Sequence, residues 1–227
     1  MTDTPTRRVL LLHGFGGTNA ELRYLRDMLT HRGFTVYSPL LPGHGAGRTA
    51  LRDTSCATWL AAARAALEPY ASAGVRVHVV GFSMGGLLAA HLAVHPVVEK
   101  LVFINTPVYF WNLRVILADT VHALRIRNYT RLRYYSQAVG RTSAKSGLDF
   151  LRILTCSKRR FASIHKPLLI LQCQRDESAH YKSAAYIHRR VPGSILRYFP
   201  GGQHQFAEPE NPTRAAMCAA VAKFLEV

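Results

Sequence analysis

Apolar residues along the chain fall into two kinds of run that alternate. The short runs are rich in Val, Ile and Leu and are bounded by polar or Gly/Pro segments. They predict strands at Arg8 to Leu12, Phe34 to Ser38, Val75 to Val80, Leu101 to Asn105, Pro167 to Cys173 and Ile195 to Phe199. The longer runs have helical spacing or a high content of Ala and Leu. One helix is predicted over Asn19 to Arg32, with Leu22, Leu25, Met28 and Leu29 as its inner stripe and Gly33 as its stop. Others are predicted over Ser55 to Ala73, Met84 to Val94 and Ser178 to Arg190. A last one opens at Asn211-Pro212, an N-cap and first-turn pair, and runs to Leu225. Such alternation argues an α/β fold, with a mainly parallel central sheet flanked by helices on both faces.

The alternation breaks twice. Pro39 to Asp53 is rich in Gly and Pro and is expected to be a loop. From Pro107 to His165 there is no strand-like run of length, only a basic amphipathic stretch that includes Leu113, Leu117, Val121 and Leu124. We expect this segment to be a short helical lid over the top of the sheet. Residues 1–106 and 166–227 would then form the core and residues 107–165 the lid.

A chain of 227 residues with 48% hydrophobic content suits one domain with an ample core and excludes general disorder. The polar start is followed only by Val9-Leu10-Leu11-Leu12, too short for a signal sequence, and no stretch is long and uncharged enough to cross a bilayer, so a cytoplasmic protein is expected. The four cysteines are scattered without metal-ligand spacing and are read as reduced and structural. No metal-binding motif is visible.

Charge adds one question. The formal net charge is +16, and 23 of the 29 basic residues are Arg. Between Pro107 and His165 eleven basic residues (Arg114, Arg125, Arg127, Arg131, Arg133, Arg141, Lys145, Arg152, Lys158, Arg159, Arg160) face two acids, Asp119 and Asp149, with Tyr109, Phe110, Trp111, Tyr134 and Tyr135 among them. A solvated basic face, or a bias toward arginine, accounts for this without a partner. The alternative is attraction to an anionic membrane surface or an acidic carrier protein.

The chemistry gathers at Gly81-Phe82-Ser83-Met84-Gly85, where a predicted strand gives way to a predicted helix. Gly-x-Ser-x-Gly in that context is the nucleophile elbow, a tight turn that raises a serine hydroxyl above the sheet and needs glycines on either side. In this arrangement an acid and then a histidine follow in the sequence. The strand ending at Cys173 leads into Gln174-Arg175-Asp176-Glu177, and the strand ending at Phe199 leads into Pro200-Gly201-Gly202-Gln203-His204. Ser83, Asp176 and His204 are therefore the candidate nucleophile, orienting acid and base, with Glu177 as the reserve acid. The two backbone donors for a developing oxyanion would be the N–H of Met84, at a helix N-terminus, and that of Phe15, in the loop His13-Gly14-Phe15 after the first strand. Phe15 and Trp111 are the expected substrate contacts.

With these residues in view the chain resembles compact bacterial carboxylesterases and monoacylglycerol lipases of the α/β-hydrolase superfamily. The similarity rests on Leu11-Leu12-His13-Gly14-Phe15-Gly16-Gly17, Leu41-Pro42-Gly43-His44-Gly45, Thr58-Trp59, Gly81-Phe82-Ser83-Met84-Gly85-Gly86, Asn105-Thr106-Pro107, Asp176 and His204. It spans the sheet from end to end and leaves the lid unmatched in detail. The resemblance implies cofactor-free cleavage of carboxylic esters of medium-chain acids or of monoglycerides. Gln203 departs from it, because the group usually has glycine just before the histidine.

Other chemistry can use the same three residues. A thioesterase, or an esterase acting on acyl groups held by an acidic carrier protein, would share them and suit a basic lid; a C–C hydrolase or perhydrolase would share them too. A binding protein of a different class, for anions or nucleic acid, would not require all three, and that disfavours it.

Overall fold

The structure, a computed structural model, describes residues 7–111, 116, 117, 119–121, 125, 127, 140 and 142–227. Six strands, β1 (Arg8–Leu12), β2 (Thr35–Tyr37), β3 (Val77–Phe82), β4 (Val98–Ile104), β5 (Leu168–Cys173) and β6 (Ile195–Phe199), form one sheet in the order β2-β1-β3-β4-β5-β6. Every pairing is parallel, with Leu10 opposite Val79, Val80 opposite Val102, and Leu171 opposite Arg197.

Because successive side chains of a strand point to opposite faces, the continuous apolar runs feed two cores. Leu10, Leu12, Val77, Val79, Leu101, Phe103, Leu168 and Ile170 face one layer. It is covered by α3 (Cys56–Ala65), α5 (Met84–Leu92), α6 (Ala144–Arg160) and α7 (Lys182–Arg190). Val9, Leu11, Val80, Phe82, Val102, Ile104, Leu169 and Leu171 face the other, under α1 (Arg23–His31) and α8 (Arg214–Glu226). Two further short helices are α2 (Gly47–Arg52) and α4 (Glu68–Ser72).

The departures from the expected elements have local causes. The helix expected over Ser55 to Ala73 is two, α3 and α4, because Pro69 cannot donate within a continuing helix and instead occupies the first turn of a new one. Ser55 caps α3 by accepting from the N–H of Thr58 at 3.2 Å. The loop expected at Pro39 to Asp53 contains α2. The elbow strand runs on through Gly81 and Phe82, and β4 starts at Val98, earlier than its apolar run suggests. Helix α7 starts only at Lys182, since Ser178 and His180 pair with the backbone of Trp111 and Tyr109. Asn211 and Pro212 precede α8, where the Asn211 side chain accepts from the N–H of Thr213.

In the segment expected to form a lid, α6 packs its Phe150, Ile153 and Leu154 into the same core layer as α5. That end of the segment is a flank of the sheet. Asp149, buried beneath it, holds Lys145 and Arg152, each at 3.2 Å. Leu117 and Val121 are helical and exposed. Leu113, Leu124, Tyr134, Tyr135, Arg114, Arg131, Arg133 and Arg141 lie outside the described residues. No described helix is long and apolar enough to cross a membrane.

Candidate active site

Strand β3 stops at Phe82 and α5 starts at Met84, which leaves a single residue, Ser83, to make the turn. Ser83 is held at φ 52° and ψ −118°, a left-handed conformation that costs a non-glycine residue on the order of 1–3 kcal/mol. Glycine on either side permits it: a Cβ at Gly81 would collide with the backbone of Gly85, and one at Gly85 with the Leu12 carbonyl of β1. The side chain of Ser83 stands at the carboxyl end of the sheet, where ligand sites of such sheets gather.

His204 comes to it from the loop after β6. The Ser83 hydroxyl donates to His204 Nε2 at 3.0 Å, and His204 Nδ1 lies 2.9 and 2.8 Å from the two carboxylate oxygens of Asp176. Asp176 is fully buried and heavily bonded: Oδ1 accepts from the N–H groups of Ser178 (2.9 Å) and Ala179 (2.7 Å), and Oδ2 from the Gln172 amide (3.3 Å). These donors fix the carboxylate, and the carboxylate fixes the imidazole tautomer with the hydrogen on Nδ1. Burial alone would lower the pKa of His204, but the charge and hydrogen bond of Asp176, with Glu177 and Glu21 behind it, raise it above the ordinary histidine value.

Glu177, the reserve acid, does not reach the ring. Its Oε2 accepts from the backbone N–H of His204 at 3.4 Å, and burial together with the charge of Asp176 raises its pKa. The loop His13-Gly14-Phe15 lies against the elbow, since a Cβ on Gly14 would sit 3.4 Å from that of Ser83. His13 braces this loop: Nδ1–H donates to the Gly14 carbonyl at 2.9 Å, Nε2 accepts from Leu41 N–H at 3.0 Å, and burial lowers its pKa to about 4, so it stays neutral. Met84 opens α5, a position whose N–H has no acceptor within the helix.

A file of aromatic rings leads away from this point. Trp59 meets Phe15 at 5.6 Å, Phe15 stacks on Phe150 at 5.0 Å, Phe150 meets Phe110 at 5.1 Å, and Phe110 meets Trp111 at 5.6 Å. Trp111 is half exposed at the outer end. Phe15 and Trp111 thus belong to one apolar wall, the first beside Ser83 and the second at the surface.

A family model described as the alpha/beta hydrolase family matches residues 9–217. The chain belongs to this family. Among curated proteins, a carboxylesterase of Bacillus subtilis (strain 168) is 24% identical over 194 residues, 82% of this chain and 78% of that one. A thermostable monoacylglycerol lipase of Bacillus sp. (strain H-257) is 36% identical over 101 residues, which are 44% of this chain and only 40% of that protein. Among solved structures, one described under two metagenome-derived lipolytic enzymes superposes with a TM-score of 0.77 at 18% identity, covering 97% of this chain and 94% of that one. The monoacylglycerol lipase of Paleococcus ferrophilus gives 0.73 at 20% identity, covering 97% and 95%. At such identity the superpositions establish the fold.

In this alpha/beta hydrolase one buried polar residue near the site carries more than the sequence suggested. Asn105 directly follows β4 in a left-handed conformation (φ 48°), donates to the carbonyls of His204 (2.8 Å) and Gln203 (3.3 Å), and accepts from Cys173 N–H (2.8 Å). Its signal was a polar residue closing a fully apolar run. Glu21, half-buried, is a second polar residue of this kind, in electrostatic contact with His204, and nothing in its helical stripe marked it. Among the described residues no cluster of His, Cys, Asp and Glu is arranged to hold a metal.

Proposed function

We propose that this alpha/beta hydrolase cleaves carboxylic esters, either short- to medium-chain acyl esters or monoacylglycerol, through an acyl-enzyme on Ser83. The observation that carries the reading is the unbroken chain of hydrogen bonds from the Ser83 hydroxyl through His204 to buried Asp176. In the first half-reaction His204 Nε2 takes the hydroxyl proton as Ser83 Oγ bonds to the ester carbonyl carbon. The carbonyl oxygen becomes an oxyanion, which the N–H groups of Phe15 and Met84 stabilise. As the tetrahedral adduct collapses the C–O bond to the alcohol breaks, and His204 gives its proton to the leaving oxygen. Water then repeats the sequence on the acyl-serine and releases the acid. Asp176 keeps its negative charge throughout, opposite the transient imidazolium.

The aromatic file from Phe15 to Trp111 supports an acyl chain lying along an apolar wall, and the names of the two Bacillus relatives agree with ester substrates. The test is turnover of a p-nitrophenyl ester series of increasing chain length, with labelling of Ser83 by a fluorophosphonate. Hydrolysis with a chain-length optimum and loss of labelling in Ser83→Ala support the reading. Absence of both rejects it.

An anionic surface as partner belongs to the same reading. At the ends of α6 and α7, Lys158 lies over the Tyr109 ring (5.9 Å), Tyr109 meets Tyr186 (5.7 Å), and Arg190 stacks on Tyr186 (3.6 Å), beside exposed Arg159 and Arg160. A basic and aromatic face of this kind suits anionic lipid headgroups.

A further inference from the structure

Beside the loop that carries His204, the loop after β1 and the Gly43–Gly47 segment border a cavity of about 450 Å³, whose lining includes Gly17, Glu21, His44, Leu51, Gln205 and Glu208. Its polar lining is rich in acceptors. Glu21 Oε1 accepts from the Gln205 amide at 3.0 Å, while Oε2, shielded from solvent, has no hydrogen-bond partner among the described residues. The carboxyl group approaches the loop so closely that a Cβ at Gly17 would collide with it. His44 is 3% exposed, with Nδ1 at 3.1 Å from the Pro42 carbonyl. A carbonyl only accepts, so Nδ1 carries the hydrogen. Burial lowers the pKa of the ring and keeps it neutral, which leaves Nε2 a bare acceptor without a partner among the described residues.

The cavity is also uncompensated in charge. The chain has 29 basic residues against 13 acids, yet none of the ion pairs among the described residues involves Glu21 or Glu208. The charged groups that act on Glu21 are His204 and Glu208. Burial therefore raises the pKa of the Glu21 carboxyl, and a cation placed beside it would offset that penalty. The position is informative too. Gln205 follows His204, and Glu21 lies within electrostatic reach of that ring, so the cavity neighbours the residue that would give its proton to the leaving alcohol.

We propose that this cavity is a subsite for a compact alcohol moiety bearing an ammonium group, whose N–H donates to Glu21, with Glu208 supplying a second negative charge and His44 Nε2 a second acceptor. The inference rests on the ester-hydrolase reading above and names the alcohol side of its substrate.

The test uses two esters of nearly the same shape near neutral pH: dimethylaminoethyl butanoate, which is protonated at nitrogen, and isoamyl butanoate, which has a C–H in that place. Wild-type kcat/KM should favour the ammonium ester by roughly tenfold to a hundredfold, the worth of a hydrogen bond to a charged group. Glu21→Gln, which can still accept from Gln205, should collapse that ratio. Glu208→Gln, at an exposed position, should reduce it by a smaller factor and provides the test if the first variant does not fold. Equal kcat/KM for the two esters, hydroxyethyl butanoate favoured as strongly as the ammonium ester, or a ratio unchanged in both variants would overturn the subsite. Turnover of isoamyl butanoate without any preference rejects the subsite alone, whereas no turnover of any ester, p-nitrophenyl esters included, rejects the hydrolase reading beneath it.

Discussion

Asn105 fastens His204 to the sheet: from the last turn of backbone after β4, its amide donates to the His204 carbonyl at 2.8 Å while its oxygen accepts from Cys173 N–H at 2.8 Å. The loop that carries the proposed base is thus tied to two strand ends through one buried side chain. Asn105→Ala should leave two backbone groups, the His204 carbonyl and Cys173 N–H, without a partner, since the Gln203 carbonyl keeps its bond from the Asn211 amide; the fold should lose about 2–4 kcal/mol, each buried orphan costing about 1–3 kcal/mol before the site relaxes. Thermal melting measures the loss. The same variant should lower kcat more than it raises KM, because it displaces the base and leaves the apolar wall intact.

Ser83→Ala should abolish ester turnover and keep the fold, since the constraint of the elbow belongs to Gly81 and Gly85 and not to the hydroxyl. Loss of a triad nucleophile costs on the order of 10⁶ in kcat in a protease of unrelated fold. Circular dichroism and turnover on one sample decide it, and a variant with wild-type turnover sinks the assignment.

The two adjacent carboxylates should separate by function. Asp176→Asn should lower the rate by roughly 10⁴, as the imidazole loses the acceptor that fixes its tautomer. Glu177→Gln should do far less, because Glu177 touches the His204 backbone and not the ring. A reversed order of effects would assign the orienting role to Glu177.

Activity should rise with pH as His204 loses its proton, and the midpoint should lie above the ordinary histidine value of about 6.5. The sign follows from the imidazolium being inactive and stabilised by Asp176, so a higher pH is needed to discharge it. Asp176→Asn should move the midpoint of the residual activity toward acid. The same pairing stabilises the fold fully below the unfolded histidine value, and its contribution is lost as pH rises through the folded one. An activity optimum in acid, well below the reference histidine value, contradicts a histidine base.

Binding to anionic phospholipid vesicles should fall steeply with salt, because surface attraction is screened over about 10 Å at 0.1 M. Turnover of a small neutral ester should barely change. Reversing the charges of Arg159 and Arg160 together should weaken only the salt-sensitive part; Arg131 and Arg133, outside the described residues, are the natural second pair. No binding at low salt to vesicles or to an acidic acyl carrier means a solvated face and nothing more.

Much of this was legible in the sequence, and the exceptions share a cause. The elbow, Asp176 and His204 could be placed because each follows directly from a short apolar run, and the chain must turn where the run ends. The split at Pro69 was readable in principle, but the Ala-rich pattern continues across it and hides the break. The place of α6 was not legible, because its apolar face, Phe150, Ile153 and Leu154, looks the same whether it covers the sheet or a substrate. The parts played by Asn105 and Glu21 depend on partners far away in sequence, His204 for Asn105 and Gln205 for Glu21, and no local pattern encodes those.

The strand order sets a schedule for assembly. β1 finds β3 only after β2 and four helices have been threaded between them, and Ser83 and His204 stand 121 residues apart. Contacts of such long range close late, since the loop entropy is lost before the contact returns anything. A nascent chain that ends before His204 holds a finished elbow and no base. During refolding, recovery of hydrolytic activity should therefore lag behind recovery of the far-ultraviolet signal, with an interval in which buried strands are still exposed to one another's edges and the protein is most prone to aggregate.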